Sequence, residues 1–194
     1  LTAMITSFNE DGSVNIENTV AIAEHLLNHG SDGLVVCGTT GENPTISRES
    51  KIALFKAIAE TCGDKGTIIA NVGSNDTKGS VDFVKEVSTI PGIDGLLVVV
   101  PYYNKPNQQG QYLHFKSIAE ATTLPIMVYN VPGRVGTGIF PATLARLHKE
   151  YPHICAIKEA SGNLMIASEI KRLMPGEDFM VYSGDDGLTL PMLS

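Results

Sequence analysis

The sequence predicts an α/β fold of repeated strand–helix units, and three observations carry that reading. Seven short apolar runs recur along the 194 residues: Thr2–Ser7, Gly33–Gly38, Thr67–Gly73, Gly95–Pro101, Pro125–Val131, Ile154–Ser161 and Phe179–Gly184. From Gly33 onward their starts lie 25 to 34 residues apart, about the length of one strand plus one helix. Runs such as GLLVVVP at Gly95–Pro101 are apolar almost throughout, as parallel strands covered on both faces are.

The segments between the runs carry helix signals. Ile16–His29 and Val81–Val87 have one apolar stripe each. Ser47, with Ser50 three residues on, opens a stretch in which Ile52, Phe55, Ile58 and Ala59 recur at helical spacing. Gly30, Gly63, Gly92 and Gly176 stand where C-terminal helix caps are expected.

Such units close into a TIM-type (β/α)8 barrel or open into a doubly wound sheet. No run is followed by the G-x-G-x-x-G turn of a dinucleotide site; the nearest match, Gly133–Gly138, has the wrong order and precedes a helix begun by Pro141. The barrel is therefore favoured, with 1–194 as one barrel domain. The length falls short of the roughly 200–250 residues of a complete one.

Composition bounds the function. A net charge of −7, with basic residues scattered, argues against a nucleic-acid partner. No apolar run approaches the roughly 20 residues that span a bilayer, and LTAMITSF lacks the charged start of a signal peptide, so no membrane partner and a cytoplasmic location are expected. Cys37, Cys62 and Cys155 show no metal-binding spacing and read as reduced core thiols.

In either architecture a ligand site forms beyond the carboxyl ends of the strands, so the residues closing each run are the informative ones. They are Gly38–Glu42 (GTTGE), Pro101–Asn104 (PYYN), Tyr129–Arg134 (YNVPGR) and Lys158–Ser161 (KEAS). Strand alternation puts Lys158 on a face with Ile154 and Ala156, and Tyr129 on a face with Met127 and Val131. An inward-facing lysine is desolvated, its pKa falls, and the neutral amine attacks carbonyls. The bland alternative is a lysine that snorkels to solvent. Hydroxyls of Thr39, Thr40 and Tyr129 near such an amine would relay protons, although turn residues and packed aromatics are the commoner roles. Arg134, after a Pro-Gly turn, suits bidentate capture of a carboxylate. His25 and His29 lie one helical turn apart without a metalloprotease glutamate and read as a solvated face. Asp185 and Asp186 read as capping or loop-ordering residues.

Together GTTGE, YNVPGR and IKEASG, in order at three strand ends, resemble the class I pyruvate-dependent aldolase family of N-acetylneuraminate lyase and dihydrodipicolinate synthase, the latter branch more closely. The resemblance spans the whole chain and implies a lyase of lysine and diaminopimelate biosynthesis. It implies that Lys158 forms a Schiff base with pyruvate, Thr40 holds the pyruvate carboxylate, and Tyr129 donates and accepts protons. Thr39 would link Tyr129 to Tyr103, contributed by a partner in a homodimer or homotetramer. Arg134 would receive the carboxylate of L-aspartate-4-semialdehyde, giving 4-hydroxy-tetrahydrodipicolinate with no metal or organic cofactor. The alternatives are a sister aldolase, N-acetylneuraminate lyase or a 2-keto-3-deoxy sugar acid aldolase, and a non-catalytic barrel serving as a binding or assembly module.

By the same resemblance the chain covers strands 1–7 and lacks the last strand and C-terminal helices. Asn75 and Tyr102 match a regulatory lysine site of relatives. Arg48 and Lys51 stand there in place of histidines and Gly79 in place of an acid, which implies weak feedback by lysine.

Overall fold

A computed structural model describes residues 1–176 and 178–193. Its contacts form two compact groups: Leu1–Val72 with Lys85–Leu97, and Gly73–Val84 with the chain from Val98 on.

The first group holds β1 (Thr2–Ala3), β2 (Gly33–Val36), β3 (Thr67–Asn71) and most of β4 (Gly95–Val99). These follow one another in sheet order, with parallel pairing from β1 to β4. All four residues of β2 are buried, which explains why its sequence, GLVV, has no polar alternation. Helices α1 (Ile16–Asn28) and α2 (Arg48–Cys62) pack on each other. Asn15 and Ser47 cap them by accepting from the Asn18 and Ser50 amides, as Asn and Ser at such positions are suited to do. Of the predicted stripe, Phe55, Ile58 and Ala59 are buried and Ile52 is half-buried, while Leu54, outside that stripe, is buried with them.

The second group holds α3 (Thr77–Val87) up to Val84, the end of β4, α4 (Gln108–Ala119), β5 (Ile126–Asn130), α5 (Pro132–Val135), α6 (Pro141–Glu150), β6 (Ile154–Glu159), α7 (Leu164–Leu173), β7 (Met180–Ser183) and α8 (Thr189–Leu193). β5 and β6, and β6 and β7, pair in parallel. The Val100 amide donates to the Tyr129 carbonyl at 3.0 Å, so β5 adjoins the end of β4. Neither group shows the strand-order reversal of a doubly wound sheet. Asn107 and Asn163 cap α4 and α7, while Pro132 and Pro141 start α5 and α6, where a missing N–H costs nothing.

Several boundaries differ from the sequence reading. The first run is a strand only over Thr2–Ala3, because the chain then turns into an isolated antiparallel bridge between Phe8 and Val14. The fourth ends at Val99 rather than Pro101, since proline has no N–H for a ladder. Gly63 caps α2 in right-handed conformation, at φ −64°. Gly92 and Gly176 cap no helix: α3 ends at Val87, and Met174 caps α7. Arg134 follows no open turn; it lies in the single helical turn α5, closed by Gly136 at φ 78°.

Candidate active site

The site is clearest in the second group. Lys158, one residue before the end of β6, has Tyr129 of β5 and Tyr182 of β7 as its Cα partners. Paired residues of neighbouring strands point to the same face, so the lysine stands in a row between two tyrosines. Its Nζ lies 4.7 Å from the centre of the Tyr129 ring, and Tyr129 is itself buried. Lys158 is half-buried, and that desolvation pulls its pKa below the ordinary lysine value. Asp186 partly opposes the fall by favouring the ammonium, while the positive charge of Arg134 deepens it. The sequence reading placed Lys158, Tyr129 and Arg134 together; Asp186, read as a loop residue, is the lysine's strongest charged neighbour. Its companion Asp185 does cap a short helix, accepting from the Gly187 amide.

Arg134 is exposed. Tyr103 is 88% exposed and sits at φ 67°. Such left-handed backbone is strained for a bulky residue, so the loop around it holds an unusual conformation. Asn104, beside it, exchanges hydrogen bonds with Asn75 at 2.9 and 3.2 Å.

Thr39 and Thr40 belong to the first group, both exposed just past β2. Their turn is fixed from several sides. The Glu42 and Asn43 amides donate to the Thr39 and Gly38 carbonyls, the Thr6 hydroxyl to the Gly41 carbonyl, and the Asn71 amide to the Cys37 carbonyl. A β-carbon on Gly41 would stand 3.0 Å from the Met4 carbonyl oxygen, so only glycine fits there comfortably.

Sequence reasoning assigned no role to Asn130 and Glu159, although both lie inside its quoted motifs. They are buried and bonded to each other at 2.7 Å. Two polar residues closing adjacent apolar strands were the available signal. Tyr182 and Gly184 were missed because nothing local marks a residue as the neighbour of a lysine two dozen positions away. Among the described residues no group of three His, Cys, Asp or Glu is placed to hold a metal, and no helix is long and apolar enough to cross a membrane. Arg48 pairs with Glu86 at 2.7 Å, and a carboxylate oxygen of Asp76 lies 2.6 Å from where a Gly79 β-carbon would be. The surroundings of Arg48 and of Gly79 are thus each less positive than the sequence alone suggests.

The profile of the Dihydrodipicolinate synthetase family matches residues 1–194. The chain belongs to that family. Like other members of the dihydrodipicolinate synthetase family, it resembles curated 4-hydroxy-tetrahydrodipicolinate synthases; that of Desulforamulus reducens is 53% identical over all of this chain and 65% of its own length. Among solved structures, dihydrodipicolinate synthase of Bacillus anthracis is 44% identical with a TM-score of 0.94, covering 98% of this chain and 64% of that one. The chloride-inhibited enzyme of Acinetobacter baumannii complexed with pyruvate is 37% identical with a TM-score of 0.93, covering 98% of this chain and 65% of that one. The chain therefore spans just under two thirds of the length of these relatives. Its described strands are those of a (β/α) barrel without the C-terminal part.

Proposed function

We propose that the complete protein is a 4-hydroxy-tetrahydrodipicolinate synthase, a Schiff-base lyase joining pyruvate to L-aspartate-4-semialdehyde. The observation that carries this is the desolvated Lys158 amine set against the Tyr129 ring, with Arg134 close enough to bias its charge. A lysine so placed loses its proton more readily than one in water and becomes a nucleophile.

In this reading the neutral amine adds to the keto carbon of pyruvate, and loss of one water leaves an iminium. Removal of a proton from the pyruvate methyl group gives an enamine, whose carbon bonds to the aldehyde carbon of aspartate semialdehyde. The substrate's own amino group then displaces Lys158 from the iminium carbon, closing the ring and freeing the amine for another turnover. Tyr129 is the group that moves protons in the addition and dehydration steps. Thr40 holds the pyruvate carboxylate, and Thr39 joins Tyr129 to Tyr103 of a partner subunit in a homodimer or homotetramer. Arg134 binds the aldehyde's carboxylate. Residues 1–194 form part of a single barrel domain working in the cytoplasm. The pyruvate held by the similar Acinetobacter baumannii enzyme supports the choice of first substrate.

The test is a condensation assay of the full-length protein with pyruvate and aspartate semialdehyde, alongside Arg134→Ala. Product formation that Arg134→Ala weakens chiefly through the aldehyde KM supports the reading. Turnover of a 2-keto-3-deoxy sugar acid in its place contradicts it.

A further inference from the structure

Glu159 follows the proposed nucleophile but points to the opposite face of β6, where it is buried. Both its oxygens accept hydrogen bonds: Oε1 from the Ser161 amide at 2.6 Å, and Oε2 from Asn130 Nδ2 at 2.7 Å. Asn130 in turn accepts with Oδ1 from the Ile139 amide at 3.1 Å. Backbone bonds reinforce the pairing, since Ala160 N donates to the Asn130 carbonyl at 2.8 Å. The chain between Asn130 and Ile139 carries α5 and Arg134, and it folds back so tightly that a Gly138 β-carbon would lie 3.2 Å from Asn130 Oδ1.

A carboxylate only accepts and a backbone N–H only donates, so Glu159 and Ile139 together dictate which way the Asn130 amide faces. Reversing that amide would set donor against donor at Ile139. Gln108 and Gln111 of α4 hold the Gly138 carbonyl from the helix side, at 2.8 and 3.2 Å. Asn130 ties the same segment to the strands.

We propose that Glu159 and Asn130 are a positioning pair that fixes the Arg134 segment relative to the Lys158 strand through the polarity of the Asn130 amide. The pair touches no reacting atom. It rests on the aldolase reading above, and its effect falls on binding of the carboxylate-bearing aldehyde rather than on the amine.

Polarity makes the idea testable with shape held constant. Glu159→Gln puts an NH2 group against either Ser161 N, where that bond is lost, or Asn130 Nδ2, where the asparagine turns and the Ile139 anchor is lost. Asn130→Asp sets two carboxylates against each other. Combining Glu159→Gln with Asn130→Asp restores every bond. The introduced glutamine donates to the introduced aspartate, which still accepts from the Ile139 amide, and the glutamine oxygen accepts from the Ser161 amide.

In the full-length protein Glu159→Gln is expected to raise the aspartate-semialdehyde KM about tenfold, the cost of one unmade buried hydrogen bond, and Asn130→Asp, which sets two buried carboxylates face to face, by at least as much. The yield of pyruvate trapped on Lys158 by borohydride stays at the unmodified level, and the double variant recovers the KM. A KM that the single changes leave alone, or that the double fails to restore, overturns the pair. Failure of the unmodified protein to trap pyruvate would instead sink the aldolase reading. Independently of activity and of whether the single variants fold, the Ile139 amide should exchange slowly in the unmodified protein and the double variant. Exchange as fast as in an open loop overturns the pair by itself.

Discussion

Gly184 leaves empty the space that the Lys158 arm fills. A β-carbon on that glycine would stand 3.1 Å from Cγ and 3.2 Å from Cε of the lysine, and 2.7 Å from the Ala160 β-carbon. Real β-carbons rarely come so close, so a methyl group here has to displace the end of β6 at Ala160 and the Lys158 arm with it. Gly184→Ala is therefore expected to lower the rate of pyruvate trapping at least tenfold, about 1.4 kcal/mol of misplacement. Gly162→Ala is the comparison: Gly162 sits at φ 78° with nothing within 4 Å, so its alanine costs roughly 1 kcal/mol of backbone strain. Measured trapping rates and melting curves of the two full-length variants separate the effects. Equal trapping in both contradicts the role given to Gly184.

The two charges that bias Lys158 predict opposite shifts. Schiff-base formation needs the neutral amine, so its rate rises with pH through the lysine's lowered pKa and then levels. Asp186 favours the ammonium, so Asp186→Asn moves that rise to lower pH. Arg134 disfavours it, so Arg134→Ala moves the rise to higher pH. Trapping rates measured between pH 6 and pH 10 decide; shifts in the same direction contradict the assignment.

His114 provides a stability signature in acid. It is 3% exposed, and burial holds its pKa at about 4 against an ordinary 6.5, with Asp76 pushing weakly the other way. Its Nδ1 lies 2.8 Å from the Thr77 hydroxyl, and its Nε2 has no hydrogen-bond partner among the described residues. The unfolded chain takes up this proton below about pH 6.5, whereas the folded chain takes it up only near pH 4. This contribution is complete above pH 6.5 and is lost as pH falls toward 4, by about 3 kcal/mol in all. Denaturant midpoints across that range should fall more steeply for the unmodified protein than for His114→Gln. Parallel curves contradict the prediction.

The thiols should differ in reactivity. Burial pushes Cys37 up to about 12, and it is 1% exposed. Cys155 is half-buried, with a thiol that burial also raises. At pH 8 the Cys37 thiolate fraction is on the order of 10⁻⁴, so alkylation of the folded protein should leave Cys37 intact and reach Cys155 first. Peptide mapping after iodoacetamide checks this; early labelling of Cys37 contradicts it.

The strand–helix grammar was legible because each buried strand writes a continuous apolar run and each helix a stripe. Residues such as Leu96, Ile126 and Phe55 announce their burial in any window. Lys158, Tyr129 and Arg134 were legible because they close those runs. Boundaries were read less well where backbone decided them: nothing in TAMITS forbids a longer strand, and PGR gives no sign that it closes one helical turn. The neighbours of Lys158 were hidden for a different reason. Asp186 and Gly184 gain their meaning from strand register and chain return, which no local pattern contains.

Lys158 is the proposed nucleophile, its amine made available by burial against Tyr129. The most direct measurement incubates the full-length protein with pyruvate, reduces with borohydride, and maps the modified peptide by mass spectrometry. A single reduced pyruvate adduct on Lys158 is expected, absent from Lys158→Arg, whose guanidinium stays charged. Pyruvate found on another lysine, or turnover that survives the loss of Lys158, would contradict it.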